Sequence, residues 1–351
     1  MKINLTEAVN KLKNSEIIGI PTETVYGLAA VATDEKAVNK IYEVKNRPRD
    51  NPLICHFYDF RQVQKYISNF PDYLPDLVAK FSPGPVSYLV NLQPNSNLKP
   101  ATSGLDTMIF RIPNHKLCLE LLEKIEIPLA APSANTSGKF SPTNGEMVEI
   151  DLGDKIAGIL DGGECEIGLE STILDCRENG KITILRPGSI GKIDLEKIAT
   201  KFNLQIFNHK NNQNTTPGNK YSHYATQTPI FKFFKDEFLK DINLNKEIAI
   251  LLAKTDLDNF LRNLQEISGL NYNIIFEPEK FVEKNPKNQL EINIYILSLG
   301  ENETQIARNL YQKLFLLDKL KVDKSYLFPI QKTNSVLNLA LQNRFEKILN
   351  Q

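Results

Sequence analysis

The chain has no charge excess to offer a polyanion: 42 lysines and arginines stand against 42 aspartates and glutamates in 351 residues. The balance also holds regionally, with 23 basic and 26 acidic side chains over residues 1–207 and 19 and 16 over 208–351. Bulk binding to nucleic acid or an anionic membrane draws on a cationic surplus, so a polybasic binder is not expected. Cysteine is scarce. Cys55, Cys118, Cys165 and Cys176 lie far apart with no C-x-x-C pair, which excludes a disulfide scaffold and a zinc ribbon. No apolar run approaches the roughly 18 residues of a membrane span. The opening MKINLTEAVNKLKNSE carries charges throughout and has no apolar core of a signal peptide. A soluble, reducing, cytoplasmic setting is the expectation. Neither G-x-x-x-x-G-K-[ST] nor G-x-G-x-x-G occurs, so a nucleotide site would have to be built another way. Without H-E-x-x-H or a Cys/His cluster, no catalytic zinc is expected.

What remains is ordinary for a globular protein, with 41% apolar and 24% charged residues and enough length for two domains. Short strand-like runs alternate with helical stretches, the α/β pattern. Strands are expected at 16–20, 53–57, 86–92, 107–112, 128–131, 171–175 and 181–185. A helix is expected at 34–45, with Ala37, Val38, Ile41, Tyr42 and Val44 as its apolar stripe. It must stop near Asn46, because Pro48 disfavours helical geometry in the residue before it. Composition changes at 208, where NHKNNQNTTPG (208–218) has no apolar residue to give a core. A linker is expected, yet it runs on into KYSHY (220–224), which is aromatic for a plain spacer. A second α/β pattern follows, with strands at 248–253 and 292–297 and helices at 303–317 and 335–349. The expected organisation is a domain at 1–207, a linker or lid at 208–228, and a smaller α/β domain at 229–351.

Several segments carry candidate chemistry, each with a plainer reading beside it. PTETVYGL (21–28) follows the first strand and puts two hydroxyls and a carboxylate where α/β folds place ligands. A turn with local side-chain caps explains it equally. KNRPRDNP (45–52) holds three cations in five residues, stiffened by proline. Fixed Lys45 and Arg47 suit a triphosphate, while a solvated basic loop at a helix C-terminus is the alternative. In the strand at 53–57, Ile54 and His56 share one face and Leu53, Cys55 and Phe57 the other. In the strand at 107–112, Thr107, Ile109 and Arg111 share a face opposite Met108, Phe110 and Ile112. An arginine in so apolar a strand requires a partner, either a structural carboxylate or a bound anion. APSANTSGKFSPT (131–143) is a run of small hydroxyl and amide groups whose N–H groups could hold phosphate without a Walker loop. It could also be a Ser/Asn turn. GLEST (168–172) and LRPG (185–188) repeat the theme of polar groups at strand ends.

Together and in this order, these segments closely resemble the threonylcarbamoyl-AMP synthase family of the YrdC-like superfamily, in its long two-domain form. The resemblance rests on PTETVYGL, KNRPRDNPLICH (45–56), SPGPVSYLV (82–90), FRIPNH (110–115), APSANTSGKFSPT, GLESTILD (168–175), LRPGSI (185–190) and the linker signature TPGNKYSHYA (216–225). It implies a twisted-sheet catalytic domain with a concave cleft and a Rossmann-like C-terminal domain. It also implies formation of threonylcarbamoyl-adenylate from L-threonine, bicarbonate or CO2, and ATP, with Mg²⁺ accompanying the ATP. A downstream transferase complex then modifies adenosine 37 of tRNA. Carried over position by position, Thr24, His56, Arg111, the Ala131 backbone and Ser171 form the threonine pocket. Lys45, Arg47, Asn51, Thr107, Ser133, Ser141, Arg186 and His223 contact ATP, with Lys45 and Arg47 as the catalytic cations. Residues 217–225 are expected to close over the cleft as a lid. Ser82, Ser87 and Asn219 depart from the family pattern without touching the chemistry. Two other readings stay open: a double-stranded RNA-binding module held by phosphate contacts, and a carbamoyl transferase of the same superfamily. Stable nucleic-acid or membrane binding is not expected.

Overall fold

A computed structural model describes residues 1–208, 224–242, 247–265, 272–276 and 292–350. The chain divides between residues 222 and 223 into two compact units, each α/β.

The first unit is built on one mixed sheet. Its strands are β1 (Lys2–Ile3), β2 (Ile18–Ile20), β3 (Gly27–Val31), β4 (Ile54–His56), β5 (Val86–Asn91), β6 (Thr107–Arg111), β7 (Leu129–Ala130), β8 (Ile159–Leu160), β9 (Thr172–Asp175), β10 (Lys181–Arg186) and β11 (Gln205–Asn208). They line up as β1-β8-β2-β3-β7-β4-β6-β5-β9-β10-β11. The expected helix runs Glu35–Lys45. The Asp34 side chain caps it, accepting from the Lys36 and Ala37 amides at 2.9 and 3.2 Å. It ends at Asn46 in the left-handed conformation, φ 50°, two residues before Pro48.

Strand alternation sorts the residues as the sequence predicts. Cys55, Phe57, Tyr88, Val90, Met108, Phe110, Ile112, Leu174 and Ile182 enter the main core on one face. Ile54, Leu89, Ile109, Ile173 and Leu185 form a small apolar cluster on the opposite face. β3 falls where no strand was expected. Its sequence, GLAAV, is buried throughout, with Leu28 and Ala30 facing one core and Ala29 and Val31 another. A strand covered on both faces has no polar alternation to betray it.

The described residues of the second unit form five parallel strands: β12 (Ile230–Lys232), β13 (Glu247–Leu252), β14 (Tyr272–Phe276), β15 (Ile292–Ser298) and β16 (Lys324–Leu327), in the order β12-β16-β13-β15-β14. Its last helices span Glu303–Leu320 and Val336–Leu349. Residues expected to belong to the linker already pack here. The buried Tyr224 stacks on Tyr311 with ring centroids 5.4 Å apart, and the Gln227 amide donates to Asp318 at 2.7 Å. The Tyr224 ring, expected to contribute to a lid, therefore lies in the second unit's own packing, where it buries apolar area. The rest of that segment, 217–223, including His223, lies outside the described residues. No described helix is long and apolar enough to cross a membrane.

Candidate active site

The face of the first sheet that turns away from the main core bears the predicted polar residues. Ile54, Leu89, Ile109, Ile173 and Leu185 make its floor. At one end a cavity of about 510 Å³ is bounded by Leu53, Thr107, Asp175, Thr183 and Leu185. Thr107 stands at the start of β6, four residues or roughly 13 Å from Arg111 at its other end.

Arg111 organises the opposite end. β4 and β6 run parallel with His56 beside Arg111, and antiparallel β5 brings Ser87 to its other side. The arginine's required partner is Glu23: Nη2 lies 2.7 Å from Oε2, with the two side chains only 5% and 3% exposed. Arg111 Nη1 donates to Thr24 Oγ1 at 2.7 Å, and Nε to the Gly84 carbonyl at 3.3 Å. Thr24 is itself held by a 2.9 Å hydroxyl contact with Thr22, which donates to the Val25 carbonyl at 2.7 Å. The TET tripeptide is thus the bracket that orients the guanidinium. Glu23 is a residue that the sequence alone does not single out. The signal for it was the requirement for a carboxylate near an arginine in an apolar strand, and Glu23 is the only acid in PTETVYGL.

His56 is fully enclosed. Burial, reinforced by the Arg111 charge, pushes its imidazole down to about 3, so it is neutral at physiological pH. Its Nδ1 has no hydrogen-bond partner among the described residues. The stability consequence has a definite sign. Because the folded value lies below the ordinary 6.5, the stability held by neutral His56 is complete above about pH 6.5 and is lost as pH falls toward 3. Melting temperatures measured from pH 7 to pH 4 should fall further in the parent protein than in a His56→Gln variant, by on the order of 5 °C. Parallel curves would contradict this placement of the imidazole.

Ser171 joins the two halves of the polar face. Its Oγ meets Ser87 Oγ at 2.8 Å and accepts from Arg186 Nη2 at 3.0 Å, while Arg186 Nε donates to the Ser171 carbonyl at 3.0 Å. A register shift in β10 between Ile184 and Arg186 turns the arginine to this side. One residue back, buried Glu170 accepts from Ser141 Oγ at 2.7 Å. Like Glu23, it is a carboxylate within a motif whose role at the site depends on the fold.

The small-residue segment at 131–143 is fixed by its backbone. The Ala131 amide donates to the Ile54 carbonyl at 2.9 Å, the Leu28 amide to the Pro132 carbonyl at 2.8 Å, and the Tyr26 amide to the Pro142 carbonyl at 2.8 Å. Lys45 completes the arrangement: its Nζ donates to the Ser133 carbonyl at 2.5 Å and to the Asn135 carbonyl. Only 1% exposed, the amine is driven well below the ordinary lysine value, first by burial and then by the Arg47 charge, with Asp151 opposing. Arg47 donates from Nε to the Asn51 carbonyl and from Nη2 to the Pro52 carbonyl, both at 3.0 Å. The basic cluster is therefore not a solvated loop. Its first two cations tie down backbone carbonyls, Lys45 those of the hydroxyl-rich segment and Arg47 those of its own proline-rich turn. Asn51 is buried under that turn, and Ser133 is half-buried beside Gly27.

Of the predicted residues, Thr24, His56, Arg111, Ser171 and Arg186 form one linked polar patch. Ser141 joins through Glu170, Lys45 and Ser133 through the 131–143 segment, and Thr107 lies at the cavity end. His223 lies outside the described residues.

This chain has close counterparts. A family model described as telomere recombination matches residues 10–188, and one described as threonylcarbamoyl-AMP synthase, C-terminal domain, matches residues 190–347. A threonylcarbamoyl-AMP synthase of Bacillus subtilis is 41% identical over 227 residues, 64% of this chain and 65% of that protein. One from Pyrococcus abyssi is 33% identical over 349 residues, covering 97% of this chain and 92% of the relative. The crystal structure of Pyrococcus abyssi Sua5 complexed with L-threonine superposes with a TM-score of 0.76 at 31% identity, covering 99% of this chain and 94% of that one. With both of its units matched and the whole length aligned, the chain belongs to the threonylcarbamoyl-AMP synthase family.

Proposed function

We propose that this protein condenses L-threonine, bicarbonate or CO2, and ATP into threonylcarbamoyl-adenylate, releasing pyrophosphate, and so acts as a nucleotidyltransferase. The observation that carries the reading is the Arg111 end of the cleft: a buried, oriented guanidinium beside a neutral His56 with an unfilled Nδ1. A carboxylate suits the arginine, and a hydroxyl suits an imidazole nitrogen that is either acceptor or donor. Threonine supplies both. The apolar floor running about 13 Å to Thr107 leaves room for a nucleoside beyond the amino acid.

A carbamate on the threonine amine is short-lived in water, so a concave site that keeps water out has direct chemical value. The carbamate oxygen attacks the α-phosphorus, a displacement that needs alignment and charge neutralisation more than a protein nucleophile. Lys45 uses two of its three N–H groups on the Ser133 and Asn135 carbonyls, leaving one for a phosphate oxygen. Arg186, and the hydroxyls of Ser133 and Ser141, are the further candidates for the phosphates. Among the described residues no three ligating side chains converge on one point. Mg²⁺ would enter as part of the ATP substrate, held by phosphate oxygens and water. The product is consumed by a transferase acting on tRNA, with which this chain needs no stable nucleic-acid contact.

Incubation with labelled bicarbonate, threonine and ATP should give a threonylcarbamoyl-adenylate peak that disappears when any one of the three is omitted. Its absence from the complete mixture overturns the reading. Ser171→Ala removes the Arg186 and Ser87 contacts, and His56→Ala removes the imidazole. Each should weaken threonine binding by about tenfold while changing ATP binding less. Unchanged threonine affinity in both variants would remove them from the amino-acid pocket.

A further inference from the structure

We propose that Glu23 receives the α-ammonium group of the bound amino acid and thereby makes the pocket select a zwitterion over a hydroxy acid. This rests on the reading of Arg111 as the holder of the substrate carboxylate.

Glu23 is 3% exposed and lies 2.7 Å from Arg111 Nη2, yet neither of its oxygens has a hydrogen bond of acceptable geometry among the described residues. Arg111 Nη2 is likewise unfilled, although Nη1 and Nε are both engaged. A buried carboxylate with no donor on either oxygen is rare and costly. Here the two charges touch as an ion pair but leave their hydrogen-bonding capacity unused, next to the unfilled His56 Nδ1. An α-amino acid is complementary to that arrangement, since its ammonium brings three N–H donors and its carboxylate brings acceptors.

Charge points the same way. Arg111 and Glu23 cancel, His56 is neutral, and burial pushes the flanking thiols of Cys118 and Cys165 up to about 12, so they too are uncharged. The Arg111–Glu23 corner thus offers one charge of each sign, which matches a ligand that carries one of each. An anion lacking the ammonium would seat its carboxylate on Arg111 with Glu23 roughly 6 Å away and without the ammonium that offsets this repulsion in threonine. At an effective dielectric of about 20, that repulsion corresponds to a penalty on the order of a hundredfold in affinity.

The test is calorimetric titration of the full chain with L-threonine and with 3-hydroxybutyrate, which is threonine without its amine. The parent protein should prefer threonine by at least about tenfold. Glu23→Gln should weaken threonine at least about tenfold and leave 3-hydroxybutyrate unchanged or tighter, whereas Glu23→Asp, which keeps the charge, should recover part of the preference. A hydroxy acid bound by the parent protein within threefold of threonine overturns the proposal, and this arm needs no variant to fold. So does a folded Glu23→Gln protein whose preference is unchanged. If the parent protein binds neither compound, the reading of Arg111 as the carboxylate holder fails instead.

Discussion

Lys45→Ala is expected to lower threonylcarbamoyl-adenylate formation by at least about two orders of magnitude, the scale of losing a preorganised charge contact in the transition state. Two effects combine. The variant loses the amine bonded to the hydroxyl-rich segment, and it leaves the Ser133 and Asn135 carbonyls without their donor. The second effect alone costs about 1–3 kcal/mol of folding stability, so a modest drop in melting temperature accompanies the loss of turnover. A further measurement separates the roles. Burial holds the Lys45 amine well below its ordinary value, and a triphosphate placed against it reverses that preference. ATP binding should therefore shift the amine's titration upward, read as proton uptake in a calorimetric pH series run in buffers of different ionisation enthalpy, and that uptake should vanish in Lys45→Ala. Arg47→Ala should lose comparable activity by releasing the 51–52 turn, without abolishing the proton uptake. Near-normal turnover in both variants would refute a role for this cluster in phosphate handling.

The positions of these cations show what the sequence could and could not convey. Alternation correctly grouped His56 with Ile54 in 53–57 and Arg111 with Ile109 in 107–112, because a strand's two-residue period is a local property, while their pairing across β4 and β6 came only with the fold. The helix end at Asn46 was legible for the same reason, through Pro48. β3 was not, because GLAAV is covered on both sides and shows no pattern. The two-residue strands β1 and β8 lack the length for any period to appear, whereas β7, equally short, lies inside the apolar run expected at 128–131. The contacts of Lys45 lie 88 and 90 residues away. Nothing local reveals that a lysine in a basic cluster is buried against backbone carbonyls and not solvated. The same holds for Arg111, whose need for a partner was evident from its strand while the identity of that partner depended on the fold.

Arg111→Met carries the other large effect, and here loss of binding and loss of stability can be taken apart. Threonine affinity should fall at least about a hundredfold, since the variant removes the one guanidinium oriented by Thr24 and the Gly84 carbonyl at that end of the cleft. The fold should also suffer. Removing one member of a buried ion pair leaves Glu23, 3% exposed, without its cation, a cost of about 3–5 kcal/mol. For a unit of this size that is on the order of 10 °C in melting temperature. The double variant Arg111→Met with Glu23→Gln removes both charges, and a buried pair exchanged for neutral groups of similar volume is close to neutral in stability. It should therefore melt several degrees above the single variant and still fail to bind threonine. Titration and thermal melts on the parent, single and double variants decide the matter. Threonine affinity within threefold of the parent in Arg111→Met would place the substrate carboxylate elsewhere. Equal melting of the single and double variants would mean that Glu23 finds another partner when the arginine is gone, and the charge pairing assigned to this end of the sheet would be wrong.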